Sequence, residues 1–279
     1  MNKRFATFLT LTLIQSFAYS QDVNFGSNKE IGKYVKVKDA SIYYETYGTG
    51  KPLILLHGGP FGHISNFSEI IPKLSKNYKV IAIDTRGHGR SEIGERAFTY
   101  DLLADDVYQV LKEITNEKVI VIGYSDGGLI GFKFATKYPE LVNKVICLSG
   151  IIFSPKDYRE NAMKGLESQT GDFFEKELPE LVNKQKALMP EPTRWNDFVE
   201  KLKSAWLNPI YFNESEVLKS KFPLLIICGD RDEWVSLETI IKNYRRFNNA
   251  QISVIPNCGH ELLERTDELL SSILPFLKI

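Results

Sequence analysis

Residues 119–129 read VIVIGYSDGGL. Val119 to Ile122 are apolar at every position, as in a strand covered on both faces. From Leu129 onward, in GGLIGFKFATKY, apolar side chains recur at helical spacing. Between the two runs stands a serine among small residues. Gly123, Ser125 and Gly127 form G-x-S-x-G, and the strand before and helix after supply the context that gives the pattern meaning. Such a turn forces the serine into a strained backbone conformation and lifts its hydroxyl above the sheet edge. It also sets that hydroxyl at a helix N-terminus, where free N–H groups and the helix dipole favour developing negative charge.

The same texture continues on either side. Short apolar runs occur at PLILL (52–56), KVIAI (79–83), KVICL (144–148), PLLII (223–227) and QISVI (251–255). Between them lie the amphipathic stretches NFSEIIPKLSK, YDLLADDVYQVLKEI and LETIIKNYRRF. Strand alternating with helix predicts an α/β fold with a mostly parallel, doubly wound sheet. YVKV and SIYYETYG alternate around Lys38-Asp39-Ala40 and predict an antiparallel hairpin ahead of it. About 70 residues, Ile151 to Lys221, pass without a strand run, too long for a structureless loop. FFEKELPELVNKQKAL and RWNDFVEKLKSAW within it predict a small helical insertion over the carboxyl ends of the strands, where open α/β sheets bind ligands.

A serine hydroxyl needs a base, and the base an orienting carboxylate. The chain has four histidines: His57, His63, His88 and His260. The order serine, acid, histidine that accompanies this turn leaves His260, the only one after Ser125. The others are expected to be structural or loop residues. The acid should follow PLLII, where Gly229-Asp230-Arg231-Asp232 offers two candidates. Gly229, Asp232 and Val235 match G-x-x-D-x-x-V and select Asp232, leaving Asp230 to stabilise the turn or pair with an arginine. An oxyanion requires preorganised N–H donors. The residue after the serine, Asp126, supplies one, and the loop after PLILL the other. In His57-Gly58-Gly59-Pro60 the expected donor is Gly59, since Pro60 has no N–H.

With HGGP at 57–60, DTRGHGRS at 84–91, GYSDG at 123–127, GDRDEWV at 229–235 and GH at 259–260 in this order, the chain resembles a capped α/β-hydrolase along nearly all its length. The GYSDGG and RWNDFVEKLKSAWLNP stretches resemble the valacyclovir-hydrolase-like and small carboxylesterase branch. The resemblance implies about eight strands, a cap at about 151–221, and a Ser125–His260–Asp232 triad with Gly59 and Asp126 at the oxyanion hole. It implies cleavage of a small carboxylic ester or a related amide, lactone, thioester or carbon–carbon bond through an acyl-serine, with no cofactor. Relatives that open epoxides or displace halide use aspartate where Ser125 stands. A ligand-binding receptor on the same fold and a perhydrolase or haloperoxidase-like activity are the competing readings. DTRGHGRS is assigned no chemistry.

Two further features bear on specificity. If the Asp126 side chain faces the pocket it favours a substrate ammonium, as in amino-acid esters; otherwise it turns outward and pairs with a neighbouring helix or loop. Phe153, Phe173, Phe174, Trp195 and Trp206 in the insertion could line an acyl pocket, but aromatics at helical spacing are expected to form the core of the cap.

Lys and Arg total 35 against 35 Asp and Glu, so no basic excess points to nucleic acid or an anionic membrane surface. Lys3 and Arg4, an uncharged apolar run to Ala18, and small residues at Ala18 and Ser20 have the layout of a secretory signal peptide over residues 1–20, so export to the periplasm or medium is expected. Cleavage leaves 33 basic against 35 acidic residues, a net charge of −2. The apolar run is short for a bilayer crossing, which takes about 20 residues. Cys147, Cys228 and Cys258 are read as buried free thiols, with a Cys228–Cys258 bond the alternative. Neither C-x-x-C nor H-E-x-x-H occurs, so no metal site is expected.

Overall fold

The computed structural model describes residues 23–150, 157, 160–208 and 220–278. The expected signal segment and Phe153 lie outside the described residues. Eight strands form one sheet: β1 (Lys33–Lys36), β2 (Ser41–Tyr47), β3 (Lys51–Leu56), β4 (Tyr78–Ile83), β5 (Val119–Tyr124), β6 (Val142–Leu148), β7 (Leu224–Gly229) and β8 (Ala250–Ile255). Their order is β1-β2-β4-β3-β5-β6-β7-β8. The hairpin β1–β2 and the β2–β4 pair are antiparallel, and every later neighbour is parallel. This is the α/β-hydrolase arrangement, and β5, which leads to Ser125, lies inside it between β3 and β6.

The apolar runs are continuous because helices cover both faces. In β3, Ile54 and Leu56 join one core and Leu53 and Leu55 the other. The first core takes in residues of α2 (Tyr100–Ile114), α3 (Asp126–Lys137) and α8 (Leu237–Tyr244). The second takes in α1 (Ile71–Leu74) and α9 (Thr266–Lys278). Each fully buried Leu or Ile contributes about 1.5–3 kcal/mol. QISVI departs from this pattern. It is β8, the last strand of the sheet, with Gln251 exposed and Val254 39% exposed. NFSEIIPKLSK also departs from expectation. It forms a 3-10 turn at Ile64–Phe67 and then the single-turn α1, in which Pro72 occupies an opening position that needs no N–H.

The insertion supplies α4 (Glu160–Ser168), α5 (Gly171–Glu177), α6 (Pro179–Leu188) and α7 (Trp195–Leu207). FFEKELPELVNKQKAL is split into α5 and α6 at Pro179 for the same reason as α1. The cap docks by defined contacts. Phe61, just beyond HGGP, lies 5.3 Å from Phe174 and 6.0 Å from Trp195, ring centre to ring centre. Arg194 Nη2 donates to the Gly94 carbonyl at 2.9 Å, and Glu191 accepts the Ile93 N–H at 2.7 Å. Phe174, Trp195 and Trp206 are buried, whereas Phe173 is exposed on the surface of the cap. All three cysteines are free and buried.

Candidate active site

The GYSDG turn is built by close approach. A Cβ on Gly123 would stand 2.1 Å from the Gly127 carbonyl oxygen, and one on Gly127 would stand 2.0 Å from that of Leu56. Both positions therefore require glycine. Ser125 has φ 51° and ψ −118°, a conformation that costs about 1–3 kcal/mol for a residue with a side chain. The surroundings hold it there: its N–H donates to Leu148 O at 2.8 Å, and its carbonyl accepts from Gly128 and Leu129. The hydroxyl then stands at the start of α3, with Gly58 beside it. A Cβ on Gly58 would lie 3.0 Å from Ser125 Cβ.

His260 and Asp232 reach this point from loops that follow β8 and β7. His260 Nε2 is 2.9 Å from Ser125 Oγ, and His260 Nδ1 is 2.9 Å from Asp232 Oδ2. The other oxygen, Asp232 Oδ1, accepts the backbone N–H groups of Trp234 at 2.8 Å and Val235 at 3.0 Å. Burial pushes the Asp232 carboxyl up, but the hydrogen bond and charge of His260 and these two N–H donors outweigh it and hold it below the ordinary value. Burial pushes His260 down, and the bond to Asp232 and its charge, aided by Glu261 and Glu233, outweigh that and raise it. The imidazole is anchored through its backbone as well. The His260 backbone N–H donates to Glu233 at 3.1 Å, and the Tyr124 hydroxyl is shared between Glu261 at 2.9 Å and the His260 carbonyl at 3.3 Å. Asp230 instead accepts the Cys258 N–H at 3.2 Å and braces the turn.

The other histidines are occupied elsewhere. His57 Nδ1 donates to Gly58 O at 2.7 Å while its Nε2 accepts the Thr85 N–H at 3.0 Å, and burial drives it well below the ordinary imidazole value. Burial brings His88 down to about 4, and lowers His63. DTRGHGRS closes loops. Asp84 accepts from Ile64 N–H at 2.8 Å and Arg90 N–H at 2.9 Å, while buried Arg86 clasps Asp106 at 2.7 and 2.9 Å.

Asp126 pairs with neighbouring helices as one of the two expectations had it, but not by turning outward. It is 8% exposed, so it does not turn outward. Nor are its oxygens bare toward a pocket, since Oδ1 accepts from Tyr100 Oη and Oδ2 from Trp206 Nε1, each at 2.7 Å. The reason is the packing of α2 and the cap helix α7 against the elbow, which buries the carboxylate and supplies the donors that burial demands. Burial raises its pKa despite those two hydrogen bonds. A Cβ on Gly59 would stand 2.6 Å from the same Oδ2 and 3.2 Å from Leu202 of α7. Tyr100 carries no mark in the sequence as a partner of residue 126, and Trp206 stands there as an aromatic of the cap core or of an acyl pocket, not as a donor to Asp126.

Among the described residues, no group of three or more His, Cys, Asp or Glu side chains could hold a metal ion, and no helix is long and apolar enough to cross a membrane.

The fold agrees with that of known proteins. A family model described as the alpha/beta hydrolase fold matches residues 51–189. The chain is 25% identical over 266 residues to the 2-hydroxy-6-oxo-6-(2'-aminophenyl)hexa-2,4-dienoic acid hydrolase of Metapseudomonas resinovorans, spanning 88% of this chain and 91% of that protein. It is 28% identical over 244 residues to the Haemophilus influenzae protein named "Putative esterase/lipase", spanning 81% and 83%. The crystal structure of E-2-(acetamidomethylene)succinate hydrolase superimposes with a TM-score of 0.71 at 21% identity, covering 89% of this chain and 99% of that one. The chain belongs to the α/β-hydrolase fold family. Within that family it is a serine hydrolase.

Proposed function

We propose that this protein is an exported hydrolase of small carboxylic esters or related acyl compounds, with Ser125 as nucleophile, His260 as general acid and base, and Asp232 as orienting carboxylate. The observation that carries this reading is the unbroken line from Asp232 Oδ2 through the His260 ring to Ser125 Oγ, with 2.9 Å at each junction. His260 Nε2 takes the hydroxyl proton as Oγ attacks the carbonyl carbon. The oxyanion forms between the backbone N–H groups of Gly59 and Asp126. His260 returns the proton to the leaving group, and water activated by the same imidazole cleaves the acyl-serine. Both products leave without a cofactor.

The esterase reading is supported by the Haemophilus influenzae relative and by the likeness of GYSDGG to the valacyclovir-hydrolase-like and small carboxylesterase branch. A second reading, hydrolysis of a carbon–carbon bond beside a carbonyl, is favoured by the Metapseudomonas resinovorans relative, which matches over 88% of this chain. Preference for amino-acid esters loses support from Asp126, whose two oxygens already accept donors.

The test is to treat the protein from Gln21 onward with a fluorophosphonate and locate the adduct by mass spectrometry. Turnover is measured in parallel on p-nitrophenyl acyl esters, aminoacyl esters and a vinylogous diketone. Labelling at Ser125 with ester turnover is the expected result. A folded protein that neither labels nor turns over any of these would point to the receptor reading, and peroxide-dependent turnover to a perhydrolase. Export is tested by N-terminal sequencing of the protein recovered outside the cytoplasm, expected to begin at Gln21.

A further inference from the structure

The carboxylate of Asp126 presents a chemical difficulty. An anion beside the place where an oxyanion must form opposes the charge that the elbow is meant to stabilise. It is buried, so water cannot screen it. The structure answers with two neutral donors from separate elements. Tyr100 opens α2, and Trp206 lies in the last turn of α7, 80 residues beyond Asp126. Both side chains are buried. The oxygen that accepts from Trp206 also packs against Gly59, where a methyl would stand 2.6 Å from it. Leu202, one turn before Trp206, is the next nearest side chain to that point, at 3.2 Å. One carboxylate thus touches the elbow, the HGGP loop and the cap.

We propose that Asp126 is a positioning residue whose side chain, clamped between Tyr100 and Trp206, fixes the two oxyanion-binding N–H groups, and that α7 is thereby a fixed part of the catalytic frame. The inference rests on the function proposed above. The physical argument is one of competition. If Trp206 lost its N–H, Oδ2 would lack its donor in a buried site and would compete for a backbone N–H of the residues it packs against, Gly59 and its own. Those are the groups the oxyanion needs. The loss would therefore fall on the transition state and leave ground-state binding of a small ester nearly unchanged.

The experiment compares Trp206→Phe, Asp126→Ala and Asp126→Asn with the wild type. It measures kcat and KM on a short p-nitrophenyl ester, the rate of fluorophosphonate inactivation, and the melting temperature. Trp206→Phe keeps the ring and removes the donor. It is expected to lower kcat and the inactivation rate together by about 10-fold, with KM within about twofold. Asp126→Ala is expected to cost about 100-fold, because a cavity and two orphaned donors replace the clamp. Asp126→Asn should recover most of the activity. Its Oδ1 accepts from Trp206, and its Nδ2 donates to Tyr100 Oη, which as a hydroxyl can accept instead. Wild-type kcat and inactivation rate in Trp206→Phe would overturn the proposal, as would a lower melting temperature with unchanged kcat. Asp126→Asn as damaging as Asp126→Ala, or losses confined to KM for aminoacyl esters, would also overturn it, pointing to the charge itself. A wild-type protein that fails to label at Ser125 would overturn the proposed function, and this inference with it.

Discussion

The carboxyl ends of β5 and β7 each bury an aspartate, one next to the serine and one behind its histidine, yet the two sites drive their carboxyls in opposite directions. Asp126, after β5, meets a phenol and an indole, and burial prevails to raise its pKa. Asp232, after β7, meets two backbone N–H groups and an imidazole that can itself become charged, and these outweigh burial to lower it. Burial by itself disfavours the charged form at both. The difference lies in the hydrogen-bonded partners: two backbone N–H groups and an imidazole that gains a positive charge as the serine loses its proton at β7, a neutral phenol and indole at β5. The first arrangement suits a fixed support and the second a proton relay.

The most damaging way to test this contrast is to remove the group both ends serve. Ser125→Ala is expected to lower kcat by about 10⁴-fold or more, with the melting temperature nearly unchanged, in a steady-state ester assay backed by circular dichroism. Next comes the β7 end itself. Asp232→Asn should cost about 10⁴-fold, because an amide no longer fixes the histidine tautomer, whereas Asp230→Asn should cost less than about fivefold. A reversal of these two would break the comparison at its root.

The pH profile sharpens it further. Protonated His260 cannot accept the serine proton, so kcat/KM falls as pH drops through the pKa of His260. That pKa is raised, so the acid limb should lie above the ordinary imidazole value of 6.5. Glu233→Gln removes one of the carboxylates that raise it and should move the limb to lower pH. A profile flat down to about pH 4 would contradict a histidine base altogether.

The smallest effect is on stability. Asp232 has a lowered folded pKa, so its contribution is present above the ordinary value of 3.8 and is lost as pH falls through the folded value. Asp126 has a raised folded pKa, so its sign is the reverse: stability declines as pH rises from 3.8 through the folded value. In urea titrations at neutral pH, Asp232→Asn should therefore destabilise by about 1–2 kcal/mol and Asp126→Asn should be neutral or slightly stabilising. Equal losses at both would erase the distinction between them.

Much of this was legible in the chain because its signals are local. The β-branched runs mark strands covered on both faces, and Gly123 and Gly127 mark a turn with no room for side chains. A histidine that must follow the serine has one candidate. Asp232 could be separated from Asp230 by its spacing to Val235, which proves to be one of the N–H donors to its carboxylate. Other features escaped because no local pattern encodes them. QISVI has the composition of a covered strand, but it is the last strand of the sheet and is only partly buried. Pro72 and Pro179 divide stretches that read as single helices by apolar spacing.

The amino-acid sequence by itself determined the alternation of strand and helix, the elbow at Ser125, and which histidine and acid the fold brings to it. All of these depend on residue type at short spacing, where backbone sterics and apolar periodicity act directly. Only the tertiary structure decided what surrounds Asp126. Tyr100 precedes it by 26 residues and Trp206 follows it by 80, and neither distance carries a pattern. They meet there because α2 and the cap are packed over the elbow by their apolar faces, and a carboxylate buried by that packing must find its donors among whatever side chains the packing brings.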